Sequence, residues 1–284
     1  MSGDAEVRAW RPGVPGVVEV LHAHFPTHAY PSHTHDAWTV LIVDEGAVRY
    51  DLDRHEHGLA QAQVSLLPPQ VPHDGRSVRP EGFRKRVLYL APDRLDARLI
   101  GAAVDQPEYV DPLLRHRIHQ LHGVLRDGRE DLEAQSRLLF IEERLQQHLT
   151  RQVGAAGAAG PPAEEGGAGR RRDAGVAGRR WDGGIAGQLR ELLDERVAEG
   201  ISLEEAGRII HAHPVHLVRA FSREYGMPPH RYLTGRRVDL ARRYLLDGRP
   251  AGEVAALAGF YDQSHLNRHF KKVLGVTPTR FAAS

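Results

Sequence analysis

Apolar positions change their period twice along this chain. Between residues 17 and 90 they fall in short runs, at 38–43, 48–52, 64–67 and 86–90, with Gly, Pro and Asp between them. Runs this short, bounded by turn formers and without a helical stripe, predict strands of an antiparallel sandwich or barrel. From Asp111 onward the period becomes helical. Leu114, Ile118, Leu121 and Leu125 form one stripe, and beyond Asp127-Gly128 a second is made by Leu138, Ile141, Leu145 and Leu149. Either stripe could cover the barrel, and the second could equally be the seam of a dimer.

Residues 154–184 interrupt the pattern, since ten Gly, eight Ala and two Pro make up 20 of the 31 positions. So little apolar surface does not offset the entropy of ordering, and the stretch reads as a flexible linker. Everything after it is helical. Ile185, Leu189, Leu192, Leu193 and Val197 share a face, Gly200 stops that helix, and Ser202 with Glu205 is the capping box of the next. Residues 202–226 and 250–275 share one plan: a short helix, a tight turn and a second helix. The reading is therefore α+β and multidomain. It places an antiparallel barrel at 1–100, a helical covering or dimerisation segment at 101–152, a linker at 153–184 and an all-α region at 185–284. Because the linker crosses no hydrophobic pattern, residues 183–284 are expected to fold alone.

Composition sharpens this picture in two places. The 284 residues contain no cysteine, which excludes thiolate metal sites, iron–sulfur clusters and cysteine nucleophiles. Net charge is +1, yet residues 170–284 hold 20 Lys and Arg against 13 Asp and Glu, leaving 18 against 24 in residues 1–169. A basic C-terminal third points to a polyanion, although the dominance of Arg could reflect coding bias alone. The N-terminus lacks an apolar stretch, and the longest apolar run is far short of the ~20 residues of a membrane helix, so a cytoplasmic protein without membrane contact is expected.

The chemistry concentrates in residues 253–275, EVAALAGFYDQSHLNRHFKKVLG. Ala255 four residues before Gly259 is the grammar of a helix-turn-helix, in which a small residue lets two helices cross and Gly takes the positive φ of the turn. Asp262 then caps a second helix. Leu266 and Phe270 turn inward, while Gln263, Ser264, Asn267, Arg268 and Lys271 present donors suited to base edges and phosphates. A polar helical face alone is usually just solvated; here turn, cap and donors coincide.

The run from Gly259-Phe260 to Thr277-Pro278 resembles the C-terminal signature of the AraC/XylS family of bacterial transcription activators, and the resemblance extends back to about Ile185. It implies two helix-turn-helix units joined by a long helix, here residues 229–247, with double-stranded DNA, a small-molecule effector and RNA polymerase as partners and a homodimer as the assembly. Nineteen helical residues span about 28 Å, compatible with recognition helices in successive major grooves. The second recognition helix corresponds to residues 263–272. The first corresponds to about 214–223, with Val215, Val218 and Arg219 outward and Leu217 and Phe221 inward. Two departures fall in that unit: Gly207 replaces the usual Ala, and His211 replaces the turn Gly. With valines outward, the first unit offers thymine methyl contacts or backbone grip, and the second carries more hydrogen-bond readout.

In the N-terminal part, eight of the 18 histidines precede residue 75. His33 and His35 alternate on what reads as one strand, so both rings share a side. Together with Gly46 and Pro72-His73 they resemble the small cupin barrel that precedes the DNA-binding domain in many such regulators, which implies an effector pocket. A cupin can also hold a metal through His-x-His, a carboxylate and a later His. Thr39 stands where the carboxylate would be, and Asp36 faces the wrong way. An organic effector bound by His33, His35 and His73 is thus favoured over a metal, with no cofactor and no catalysis expected. His22, His24, His55 and His57 read as surface residues. The rivals are a metal-dependent cupin fused to a DNA-binding domain and a constitutive architectural binder; alkyl-transfer repair is excluded by the missing cysteine.

Overall fold

A computed structural model describes residues 5–127, 131–158 and 184–283. Ten strands form two antiparallel sheets. The larger orders β1 (Glu6–Trp10), β2 (Val17–Phe25), β9 (Phe83–Leu90), β4 (Trp38–Glu45), β7 (Val64–Leu67) and β10 (Glu108–Tyr109). The smaller orders β3 (Tyr30–His33), β8 (His73–Ser77), β5 (Val48–Leu52) and β6 (His55–Leu59). These sheets make a sandwich, and the expected barrel is not closed.

The larger sheet explains why run 38–43 is apolar without alternation: both of its faces are covered. Leu41, Val43, Val87 and Tyr89 point toward Tyr50 and Leu52 of the smaller sheet. Their neighbours Val40, Ile42, Leu88 and Leu90 pack beneath helices α1 (Ile100–Asp105), α2 (Pro112–Asp127) and α3 (Asp131–Ala158). Both helical stripes are spent on this cover, since all eight of their residues are at most 4% exposed. The second stripe is therefore not a dimer seam. Asp111 locks the pair of helices, accepting from Leu114 N at the start of α2 and from Arg144 and His148 of α3.

Helix α3 continues through residues 153–158, six positions into the stretch read as linker, because Ala tolerates a helix and the preceding turns propagate it. The remainder of that linker, 159–183, lies outside the described residues. Seven helices follow: α4 (Ile185–Glu195), α5 (Leu203–Ile210), α6 (Pro214–Tyr225), α7 (Pro229–Leu246), α8 (Ala251–Leu257), α9 (Gln263–Leu274) and α10 (Pro278–Ala282). Helices α5–α6 and α8–α9 are the two helix-turn-helix units, and α7 joins them.

The helical region does not stand apart from the sandwich. Val238, Ala241 and Leu245 of α7 and Leu266, Phe270 and Leu274 of α9 belong to the same buried cluster as Phe25, Leu41 and Tyr89. A linker free of hydrophobic pattern says nothing about surfaces that meet elsewhere, and here the two regions share buried residues.

Candidate DNA interface and effector cavity

The turns of both units are built as their residues require. Ser202 accepts from Glu205 N at 3.1 Å, and Asp262 accepts from His265 N at 2.6 Å, each satisfying a first-turn amide that the helix leaves open. In the second unit Gly259 has φ of +78°, and a Cβ there would lie 2.1 Å from Ala198 O. In the first unit His211 takes the left-handed conformation at φ +56°. Gly207 is explained by space, not by helix propensity: an added Cβ would meet Ala212 O at 2.7 Å.

On α9, Gln263, Ser264, Arg268 and Lys271 are exposed and Leu266 and Phe270 are buried. Asn267 is half-buried, and its Oδ1 has no hydrogen-bond partner. On α6, Val215 and Arg219 face out and Val218 is half-buried between Leu217 and the surface. Among the described residues, the side chains of Arg219, Gln263, Ser264, Arg268 and Lys271 make no hydrogen bond or ion pair, whereas Arg236, Arg242 and Arg243 of α7 are all matched by carboxylates. Unpaired donors on the outer helices leave a surface able to take phosphates and base edges.

The three predicted histidines meet inside the sandwich, by a route different from strand alternation. Strand β3 ends at His33, and His35 lies in the loop after it. His33 pairs across the sheet with His73. Gln70, at φ +62°, donates its amide to His35 O at 2.6 Å and so draws that loop toward the turn before His73. Ring centroids are 4.6 to 5.2 Å apart, and one nitrogen of each ring lies within 4.8 Å of the others. Each Nδ1 donates elsewhere: His33 to Pro31 O at 2.7 Å, His73 to Val71 O at 3.0 Å and His35 to Asp239 Oδ1 at 3.1 Å. Burial lowers the pKa of His33 well below its ordinary value and that of His73 to about 3, with the neighbouring histidines adding to both shifts.

The cavity holding these rings has a volume of about 50 Å³, room for a few water-sized groups. Its apolar wall includes Leu21, Leu41 and Leu67, and Leu274 enters from the end of α9. Lys85 also lines it, held over the Tyr30 ring at 4.2 Å, and burial lowers its pKa to about 7. Tyr30 Oη and Thr39 Oγ1, both in the lining, are buried without a hydrogen-bond partner.

Behind the cavity runs a seam of charge that sequence reading missed. Arg242 of α7 donates to Glu19 at 2.5 Å and stacks over Tyr89 at 4.7 Å. Arg243 donates to Asp36, and Arg236 reaches Asp36 at 3.5 Å and Asp194 at 2.9 Å. Glu19, Asp239 and Arg242 are all at least nine-tenths buried. Burial alone would raise the carboxyl of Asp239; His35, Arg242 and Arg236 reverse this and hold it below the usual range. Glu19 is raised by its burial, with Arg242 opposing. His35 and Asp239, Glu19 and Arg242, and Asp36 and Arg243 are each more than 200 residues apart in the chain, so no local pattern announces them. Lys85 carried a signal, as one of only three lysines and in a strand. His22 and His57 are not plain surface residues: His22 meets His122 at 3.1 Å, and His57 stacks on Tyr50.

Comparison with known proteins agrees with this organisation. Residues 15–149 match the AraC-like ligand binding domain, and residues 207–284 match a helix-turn-helix domain. The HTH-type transcriptional activator RhaS of Yersinia pestis is 24% identical over 275 residues, 91% of each chain. The uncharacterized HTH-type transcriptional regulator YbfI of Bacillus subtilis is 22% identical over 244 residues, 84% of this chain and 81% of its own. Among solved structures, ToxT from Vibrio cholerae O395 superposes with a TM-score of 0.60 at 10% identity, covering 99% of this chain and 97% of that one. ToxT from strain SCE256, bound to an unsaturated fatty acid, gives 0.59 at 11% identity with the same coverage. With a ligand-binding sandwich, two helix-turn-helix units and unpaired donors on their outer helices, the chain belongs to the AraC/XylS family of DNA-binding transcription regulators.

Proposed function

We propose that this regulator is an activator whose effector occupies the cavity around His33, His35 and His73, and whose specific contacts to DNA are made by Val215, Val218, Arg219, Gln263, Ser264, Asn267, Arg268 and Lys271. The observation that carries the reading is a shared boundary. Leu274, at the end of the second recognition helix, lines the cavity, and Asp239 of the joining helix bonds one of its histidines. A ligand there has a direct physical route to the helices that meet DNA, which differential binding requires. Two orphaned hydroxyls and the ammonium of Lys85 in the lining support an occupant with polar groups, and the fatty acid bound by ToxT supports a small-molecule ligand for a fold of this kind.

A homodimer fits the outer side of α3. With the inner stripe spent, Leu132, Leu139 and Phe140 remain 77%, 59% and 53% exposed. Leu132 and Leu139 stand one heptad apart, the spacing of a helical seam, and a second copy of the same helix is the natural cover. RNA polymerase is the partner that activation adds. Mapping bound sites across the genome tests the whole reading. Discrete sites upstream of induced genes are expected, whereas uniform coverage without sequence preference would contradict it.

A further inference from the structure

We propose that Lys85 is a covalent sensing residue, and that the effector of this regulator is a short-chain aldehyde, captured by the Lys85 amine as a reversible imine inside the sandwich cavity. The inference rests on the effector-cavity reading and names the chemical class of the effector. Of the 38 Lys and Arg, 35 are Arg, and the three lysines stand at 85, 271 and 272. A chain that writes Arg almost everywhere keeps a primary amine between Arg84 and Arg86. Those two lie on the opposite face of β9 and pair with Glu45 and Asp44, whereas strand alternation turns Lys85 to the cavity. A guanidinium in its place would be just as cationic but could not form an imine.

The surroundings favour a neutral amine. Lys85 Nζ lies 4.2 Å from the centre of the Tyr30 ring and 5.8 Å from that of Phe25, and no carboxylate pairs with it among the described residues. Burial, with the charge of Arg242 adding, brings its pKa to about 7, so roughly half of the molecules carry a free lone pair near neutral pH. The rest of the lining suits a carbonyl. His33, His35 and His73 each donate from Nδ1 to an oxygen behind the ring, which leaves the Nε2 of each as an acceptor. A carboxylate brings acceptors alone and would leave these lone pairs unmatched. A neutral carbonyl can accept from the orphaned hydroxyls of Tyr30 and Thr39, and the hydroxyl it becomes on addition can donate to an Nε2. A cavity of about 50 Å³ walled by Leu21, Leu41 and Leu67 restricts the chain to a few apolar carbons.

The step balances without a further reactant. The Nζ lone pair bonds to the carbonyl carbon as the C=O π pair moves to oxygen, and one amine proton passes to that oxygen to give a carbinolamine. The C–O bond then breaks, the hydroxyl leaves with the second amine proton as water, and the nitrogen pair forms the C=N bond. Nothing is oxidised or reduced, and water reverses the reaction when the aldehyde is scarce. The Tyr30 hydroxyl, which burial keeps protonated, donates to the carbonyl oxygen during addition. Leu274 lines the same cavity, so a captured aldehyde meets the end of the second recognition helix. Capture and DNA binding are thereby linked, each changing the other by the same factor.

The test incubates full-length protein with propionaldehyde and sodium cyanoborohydride, which reduces the imine to a stable propyl amine, and locates the label by mass spectrometry of peptides. One propyl group per chain is expected on Lys85. At pH 7 it should appear at least about tenfold faster than on the exposed Lys271 or Lys272, because the rate follows the fraction of neutral amine. Lys85→Arg should lose this label and keep the slower ones, with Lys85→Met as the second variant if the larger head group prevents folding. Tyr30→Phe should keep the position of the label and slow its formation several-fold. Without reductant, propionaldehyde should shift the DNA affinity of the wild type and leave that of the Lys85 variants unmoved. Labelling spread evenly over the three lysines, or none at Lys85 in folded protein, overturns the proposal. If Lys85 stays unlabelled while propan-1-ol or propionate, which form no imine, raises the melting temperature of wild type and Lys85→Met alike, the imine falls and the effector cavity stands. If Lys85 is labelled but DNA affinity does not change, the effector reading falls and the sensing role with it.

Discussion

Arg268 and Lys271 sit three residues apart on one exposed face, yet their expected roles differ. Arg268→Ala should weaken specific binding by about 1–3 kcal/mol and relax one base position, because a guanidinium one turn into the helix reaches a base edge. Lys271→Ala should weaken specific and random DNA alike and flatten the salt dependence. Titrating both variants against operator and competitor DNA at several salt concentrations separates them; equal loss on both DNAs for Arg268→Ala would make it a phosphate contact. Gly207 inverts a propensity rule. Ala normally gains about 1 kcal/mol over Gly inside a helix, but at this position its Cβ would press on Ala212 O at 2.7 Å. Gly207→Ala is therefore expected to destabilise by about 1–3 kcal/mol in urea unfolding, and a stabilised variant would refute the packing argument. His22 gives an acid-sensitive term. Burial is the main cause lowering its pKa, from 6.5 to about 4. The unfolded chain then takes up the proton first, so this contribution to stability is complete above about pH 6.5 and is lost as pH falls toward 4. The loss should be about 1–2 kcal/mol, less than the full shift implies because water screens the open side of the ring. Comparing unfolding at pH 7 and pH 5 for wild type and His22→Gln checks it, with a smaller difference expected in the variant.

At the scale of elements, α7 has two duties that its sequence does not distinguish. It spans the two helix-turn-helix units, and it carries Arg236, Asp239, Arg242 and Arg243 into the seam against the sandwich. Removing one side of a buried charge pair costs more than removing both. Arg242→Met should thus destabilise the chain by about 3–5 kcal/mol, leaving Glu19 without its counter-ion, and Glu19→Leu/Arg242→Met should recover most of that loss. Chemical denaturation of the two variants decides the matter; a double variant no better than the single would show that Arg242 works through packing alone. Helix α3 divides its faces similarly, with Leu138, Ile141, Leu145 and Leu149 under the sheet side and Leu139 and Phe140 outside. Leu139→Glu/Phe140→Glu is expected to sediment as a monomer with an unchanged melting profile, and a surviving dimer would move the seam elsewhere.

For the whole molecule, a single buried cluster joins sandwich and DNA-binding region. Residues 183–284 alone would uncover Leu274, which lines the sandwich cavity in the full chain, and would leave Asp239 and Arg242 without His35 and Glu19. Hydrogen exchange in α7 is expected to be markedly faster in that fragment than in the full chain; equal protection would mean that the interface contributes nothing.

The sequence by itself determined what depends on neighbours in the chain: strand runs at 48–52 and 64–67, two amphipathic helices, both turn-and-cap devices and the outward donors of α9. Turn chemistry, capping and period act within a few residues, so the local text contains them. It also marked His33, His35 and His73, because their spacing is itself a motif. Only the tertiary structure decided what these parts touch. Strand alternation did not unite His33 with His35; the His73 cross-strand pair and the Gln70 turn did. Asp239, more than 200 residues from His35, became its partner because α7 docks on the sandwich, and no periodicity encodes a surface that exists only after both halves have folded.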